Sequence, residues 1–297
     1  MLAERALPSA DHQRLNFKLM LSVIGEARRL PSPPEIVARL TELLADPEYN
    51  SSELVSVVSM DPAIATEVLN LANSAFYTRS HQRVTSIQKA IETIGDRPLT
   101  QLLVARSAQA LRSRGLNGYI LNNVSLWRRS LTAAVTAGWL ARKTKDTPWS
   151  HAYTVGLLMD IGLLAMGNTL EQKMASPSAH ALVRTLDDYE LHMLGIDHSE
   201  LGRRLARLWK LPDVVTAGIA YHHRPAEAGA HASLAYVAHG ADAIVSEMYG
   251  PLEVNGLKYA VDDTWLDVIG VRPQDIEEAT VHIREEVDQA IRSLGRV

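Results

Sequence analysis

Apolar residues recur along this chain at spacings of three and four, the period of one helix face, and almost nowhere at two. Ile36, Val37, Leu40, Leu43 and Leu44 form the first clear stripe. Ser32-Pro33-Pro34-Glu35 precedes it and reads as a capping box, with proline in the first turn, where its missing N–H costs nothing. Pro47 ends that helix. Asn50 or Ser51 can cap the next, which carries Leu54, Val55, Val58 and Met60. Asp61-Pro62 opens a third, with Ile64, Val68, Leu69 and Leu71 on its apolar side. Thr85-Ser86-Ile87-Gln88 is a second capping box, and Gly95 suits the left-handed position that closes a helix. Asp96 to Arg114 reads as a further helix, closed by Gly115.

The second half follows the same rule. Val124 to Lys145 predicts a long helix, and Thr147-Pro148 starts the helix that carries Asp160. The signal from Pro177 to Leu194 is weaker. Asp197 can cap a helix from His198 to Lys210, and Pro212 opens the next, through Val215, Ile219 and Ala220. Ser233 to Met248 is helical again. Pro251 to Asp263 is the loosest part, where Val254, Tyr259 and Val261 suggest a short extended piece. Gln274 to Leu294 is a charged amphipathic helix. These elements predict an all-α protein of two helical lobes, 23–118 and 119–248, divided at Leu116–Asn123. An N-terminal segment, 1–22, and a C-terminal extension, 249–297, flank them. The dividing loop is short, so the lobes are expected to pack against each other.

Composition narrows the class. The chain has 297 residues, 46% of them hydrophobic, which supports a large core. Its net charge of −4 and pI near 6.3 argue against nucleic acid as the main partner. With no cysteine, disulfides, thiolate catalysis and thiolate zinc sites are excluded. Met1 to Asp11 lacks an apolar signal core, and the longest apolar run, Val155 to Met166, is too short to cross a bilayer. A cytoplasmic protein without membrane insertion is expected. No phosphate-binding glycine loop, HExxH or GxSxG motif occurs.

That apolar run also holds the first candidate for chemistry. A lone Asp160 inside it is costly unless a cation or hydrogen-bond donors meet it. His198, His222, His223, His239 and Asp242 are the other informative residues, because helical proteins build metal sites from imidazoles and carboxylates on several helices. Local readings compete with this. His198 can bond within its own first turn, and His222 and His223 can close a helix, where a cationic imidazole is favoured; these are adopted. His239 reads as a surface or interface residue. Arg203, Arg204 and Arg207, beside Lys210, form a basic face taken as solvated. Trp127 and Trp209 read as core anchors, Asn70 and Asn73 as satisfying backbone at a helix end, and Phe76-Tyr77 as packing between the lobes.

Several segments resemble one family. Leu30-Pro31-Ser32-Pro33-Pro34, Asp61-Pro62, the run Leu69-Asn70-Leu71-Ala72-Asn73-Ser74-Ala75-Phe76-Tyr77, and Thr85-Ser86-Ile87 look like the N-terminal half of an HDOD domain. Leu126-Trp127-Arg128-Arg129-Ser130, Gly156 to Gly162, Asp197-His198, Leu208 to Pro212, and His222-His223-Arg224-Pro225 look like its C-terminal half. The resemblance runs from about Leu30 to Val245. It implies kinship with HD-superfamily phosphohydrolases, and a role in bacterial signalling, often without known catalysis. The HD pattern implies a metal held by two imidazoles and two carboxylates. Asp160 and Asp242 match the carboxylates, but Arg129 and Met159 stand at the imidazole positions. Arginine does not become a ligand, and a thioether suits hard divalent ions poorly. Arg129 is therefore expected to replace the metal and pair with Asp160, and also with Asp242. No resident metal or cofactor and no catalysis are expected, and the function implied is that of a regulatory module acting on a protein partner. His198, His222 and His223 match positions that in two-metal relatives hold a second ion or contact phosphate. They keep two alternatives open: a metal-dependent phosphohydrolase or cyclic-dinucleotide phosphodiesterase, and a receptor for a nucleotide second messenger.

Overall fold

The helical period is realised through most of the described residues. The computed structural model describes residues 10–27, 35–46, 48–59, 62–74, 76–77, 84–107, 119, 125–144, 146–174, 183–254 and 256–294. The first lobe is built of α2 (Glu35–Leu43), α3 (Ser51–Ser59), α4 (Pro62–Ala72), α5 (Ile87–Ile94) and α6 (Asp96–Ser107). The second holds α7 (Leu126–Ala141), α8 (Trp149–Leu158), α9 (Leu163–Met174), α10 (Leu186–Leu194), α11 (His198–Leu208), α12 (Asp213–Tyr221) and α13 (Ala232–Tyr249). A 3-10 segment, Pro225–His231, links the last two. α1 (Ala10–Ala27) precedes these elements, and α14 (Trp265–Ile269) and α15 (Pro273–Leu294) follow them. The fold is all-α, as expected. Among the described residues the one sheet is a two-residue hairpin, β1 (Glu253–Val254) antiparallel to β2 (Leu257–Lys258), inside the segment expected to be extended.

Local chemistry places the helix starts. Ser86 caps α5 by accepting from the Lys89 amide at 3.2 Å; it takes this role rather than Thr85, one residue later than the capping box suggested. Asp197 caps α11 by accepting from the Glu200 amide at 2.7 Å. Asn73 closes α4 as expected of it: its amide donates to the Leu69 and Val84 carbonyls and its oxygen accepts from the Val84 amide, each at 2.8 Å. The capping box at Ser32-Pro33-Pro34 and most of the expected boundary loop, 116–123, lie outside the described residues.

α7 is enclosed along almost its whole length, as an apolar helix without a polar face must be. α8, α13 and α15 surround it. One continuous apolar core runs from Val23 in α1 to Val287 in α15. Both flanking segments therefore join the body of the protein: α1 packs on α9, α10 and α11, and α15 on α7 and α6. A buried polar seam ties the lobes. Thr41 of α2 bonds Thr154 at 3.2 Å, and Ser150 donates to the Thr41 carbonyl at 3.3 Å. Phe76 departs from its expected role in packing; it is 67% exposed and meets Tyr77 edge-on.

Two glycines let backbones touch where the site forms. A Cβ on Gly156 would stand 2.5 Å from the Ala133 carbonyl oxygen, so α8 lies directly against α7. A Cβ on Gly162 would stand 2.1 Å from the His198 carbonyl oxygen. α8 ends at Leu158, so Asp160 lies not within a helix, as expected, but in the tight turn to α9. Gly162 allows the first turn of α11 to sit on that turn, which brings His198 to Asp160. Gly162→Ala is expected to destabilise the protein by about 3 kcal/mol or more, because the added methyl meets backbone that cannot rotate away; urea unfolding measures this, and a wild-type curve would contradict the contact.

Candidate metal centre

Asp160 is 5% exposed, and its carboxylate makes no hydrogen bond among the described residues. Its Oδ1 lies 3.8 Å from both His198 Nε2 and His222 Nε2. His198 Nε2 in turn stands 3.2 Å from His222 Nε2 and 3.1 Å from His223 Nε2. The three rings, all buried, so present one nitrogen each, within 4.8 Å of one another, at a common point. Sequence placed these residues correctly along their helices: His198 begins α11 and His222 ends α12. The local roles adopted for them do not describe their side chains. His198 Nδ1 bonds Glu190 of α10, with a longer 3.4 Å contact from Nε2 to Ser199 Oγ inside its own turn, and all three rings turn inward.

The tautomers follow from the outer contacts. His222 Nδ1 lies 2.7 Å from the Ile219 carbonyl, which only accepts, so that nitrogen carries a proton and Nε2 is left as a lone pair. His198 Nδ1 lies 2.8 Å from Glu190 Oε2, which makes it a donor. His223 Nδ1 is buried with no partner, so the ring's polar contact is made through Nε2 alone. Burial, then the charges of His198 and neighbouring histidines, hold His222 down to about 3 and push His223 well below the usual imidazole range. Both are neutral, the form that binds a metal. Burial also works against a charge on His198, but Glu190 by charge and hydrogen bond, together with Asp160 and Asp197, carries it up to about 9. A proton on His198 Nε2 then occupies the point where the three rings meet.

The donor set fits a divalent ion. Nitrogens held tetrahedrally by one ion at ~2.0–2.1 Å stand roughly 3.3 Å apart, close to the spacings seen here. Asp160, whose Oδ1 lies 3.8 Å from two of these nitrogens, would supply the fourth donor, a carboxylate beside three imidazoles. Glu190 at His198 and the Ile219 carbonyl at His222 are the outer partners that metal-bound imidazoles use. The expectation of no metal rested on Arg129 and Met159, and this cluster uses neither.

Those two residues lie alongside, and Met159 is buried. Arg129 is buried as the internal-cation idea required, yet the expected ion pair with Asp160 or Asp242 is absent among the described residues. Its Nη1 donates to the Gly250 carbonyl at 2.6 Å, and Nη2 reaches Ser246 Oγ at 3.4 Å. Gly250 caps α13, so the guanidinium serves the negative end of that helix, a stronger claim on it than a carboxylate farther off. Its charge still acts through space on both carboxylates. Burial nonetheless raises Asp160 above the usual range, and raises Asp242 with Asp160 adding to it. Asp242 is partly buried and does not join the histidines.

Other roles are corrected or added. His239 is buried, not a surface residue: Nδ1 donates to the His222 carbonyl at 2.7 Å and Nε2 accepts from the Asp262 amide at 2.9 Å, which holds the end of α12 in place. Glu190, Tyr119 and Tyr259 are site residues that the sequence reading missed. Glu190 shares the buried stripe of α10 with Leu186, Tyr189, Met193 and Leu194, and an acid on an apolar stripe was the available signal. Arg203 and Arg204 both pair with Glu200, which fits their surface role.

A helical two-lobe fold with histidines and a carboxylate gathered between helix ends defines an HD-like helical domain. The family model of the HDOD domain matches residues 30–225, and the chain belongs to that family. It is 26% identical over 214 residues to an uncharacterized protein of Treponema pallidum (strain Nichols), covering 71% of this chain and 41% of that protein's length. Among solved structures it is similar to a protein of Marinobacter aquaeolei VT8 provisionally named for signal transduction, with a TM-score of 0.70 and 22% identity over 99% of this chain and 68% of that one. It is also similar to an HDOD domain protein of unknown function from Geobacter sulfurreducens, with a TM-score of 0.67 and 22% identity over 94% and 99%. A protein of Shewanella amazonensis SB2B provisionally named a phosphohydrolase gives a TM-score of 0.62 and 22% identity over 92% and 98%. These likenesses show the fold.

Arg129→Ala is expected to cost about 2–4 kcal/mol, through the lost charge-assisted bond to Gly250 and the vacated volume. Thermal unfolding reads this, and an unchanged melting temperature would contradict the capping role.

Proposed function

We propose that this protein is a non-catalytic signalling module that acts through a protein partner and carries one metal ion between His198, His222, His223 and Asp160. The observation that carries the metal is the meeting of three buried imidazole nitrogens, His198 Nε2 standing 3.1–3.2 Å from the other two, beside a buried carboxylate with no hydrogen bond. Two features favour a structural over a hydrolytic ion. Four protein donors make a closed set, whereas hydrolytic sites keep a position open for water. Arg129 and Met159 stand where a second ion of an HD-type site would need imidazoles, so a two-ion clamp is not available.

The four residues belong to three separate pieces of backbone: the turn after α8, the start of α11 and the end of α12. An ion there would fix these pieces relative to one another, as structural metals do. The surface offered to a partner would then depend on the occupied core.

Elemental analysis of metal-free protein reloaded with zinc, manganese, iron or cobalt tests this. One equivalent is expected, lost in His222→Ala and in His198→Ala, with no turnover of a generic phosphodiester. Two equivalents with hydrolysis would establish the phosphohydrolase reading instead, and no uptake of any of these ions would overturn the metal.

A further inference from the structure

Glu190 is fully buried and belongs to no motif, yet it gathers four donors. Its Oε2 accepts from both the backbone N–H and Nδ1 of His198, each at 2.8 Å. Its Oε1 accepts from the hydroxyls of Tyr119 at 2.9 Å and Tyr259 at 2.6 Å. An ionised carboxylate has about four acceptor sites, and here all are used. The double contact to one residue fixes both the start of α11 and the rotation of the His198 ring. Tyr259 does more than donate. Its ring stacks on His223, with centroids 4.2 Å apart and planes at 21°, and leans on His198 at 4.8 Å.

We propose that Glu190 is the positioning residue of this centre, aiming His198 Nε2 at His222, His223 and Asp160, and that Tyr259 clamps both Glu190 and the rings. This rests on the metal reading above. With the proton of Nδ1 held by Glu190, the lone pair of a neutral His198 can only face the meeting point, and the nearby negative charge makes that nitrogen a stronger donor. Tyr259 directly follows the β1–β2 hairpin, beyond residue 225 where the family match ends. The C-terminal extension therefore completes a site whose donors all lie within the matched residues. Tyr259 covers the imidazoles from that side, so exchange of the ion requires this segment to lift.

Cobalt(II) titration of the metal-free full chain tests the proposal, read by visible absorption and by competition with a chelator. Wild type is expected to bind one equivalent. Glu190→Gln, whose amide N–H₂ cannot accept from the donors around it, should weaken binding by roughly 10- to 100-fold and shift the cobalt spectrum, since the ring it aims is a ligand. Tyr259→Phe keeps the stack but drops one bond to Oε1, and should weaken binding several-fold with a smaller spectral change. Tyr259→Ala should in addition speed cobalt release. Circular dichroism confirms folding, and if Glu190→Gln fails to fold the two Tyr259 variants carry the test. Wild-type affinity, spectrum and release in the folded variants would overturn the positioning role while leaving the metal in place. A wild-type chain that takes up no cobalt would overturn the metal reading and this proposal together.

Discussion

Charge cannot be enclosed in an apolar core without compensation, and this protein encloses a great deal of it at one point. Two buried carboxylates, Asp160 and Glu190, and three buried imidazoles are gathered around His198. Glu190 shows how the cost is met: burial works to raise its pKa, but the charge and bonds of His198 and the bond from Tyr259 outweigh that and leave it below the usual range. Asp160 has no such set of donors and stays raised. One of these carboxylates is saturated and the other bare, the contrast expected between a supporting group and a ligand of the proposed ion.

The fold serves this point by bringing helix ends, rather than helix faces, together. Helix faces are committed to apolar packing, so polar side chains that must converge are best carried where a helix starts or stops. Asp160 follows α8, His198 opens α11 and His222 closes α12. Glycine sets the distances, since Gly162 against the His198 carbonyl allows an approach that any side chain would block. Arg129 obeys the same logic from inside α7, with its guanidinium spent on the end of α13.

This HDOD-family chain gathers its buried ionisable groups in two halves around Asp160. At one half, Arg129 is committed to a helix end and acts through space on Asp160 and Asp242. At the other, His198, His222 and His223 meet, with Glu190 and the Ile219 carbonyl as their outer partners. The two halves share Asp160, whose electrostatics couple it to both His198 and Asp242.

Much of this protein could be read without coordinates. Helix periodicity announced the all-α fold; Asp197 marked the start of α11; and Asn73 was rightly given to backbone. These are local matters, decided by a few neighbouring residues. The meeting of His198 with His222 and His223, more than twenty residues away along the chain, was not local, nor was the recruitment of Glu190 by His198 or of Tyr259 from the C-terminal extension. Arg129 was correctly placed inside the core but wrongly partnered, because the competing acceptor, the Gly250 carbonyl, lies 121 positions away. Which way a buried side chain turns depends on which helix ends crowd around it, and close backbone contacts between distant segments decide that.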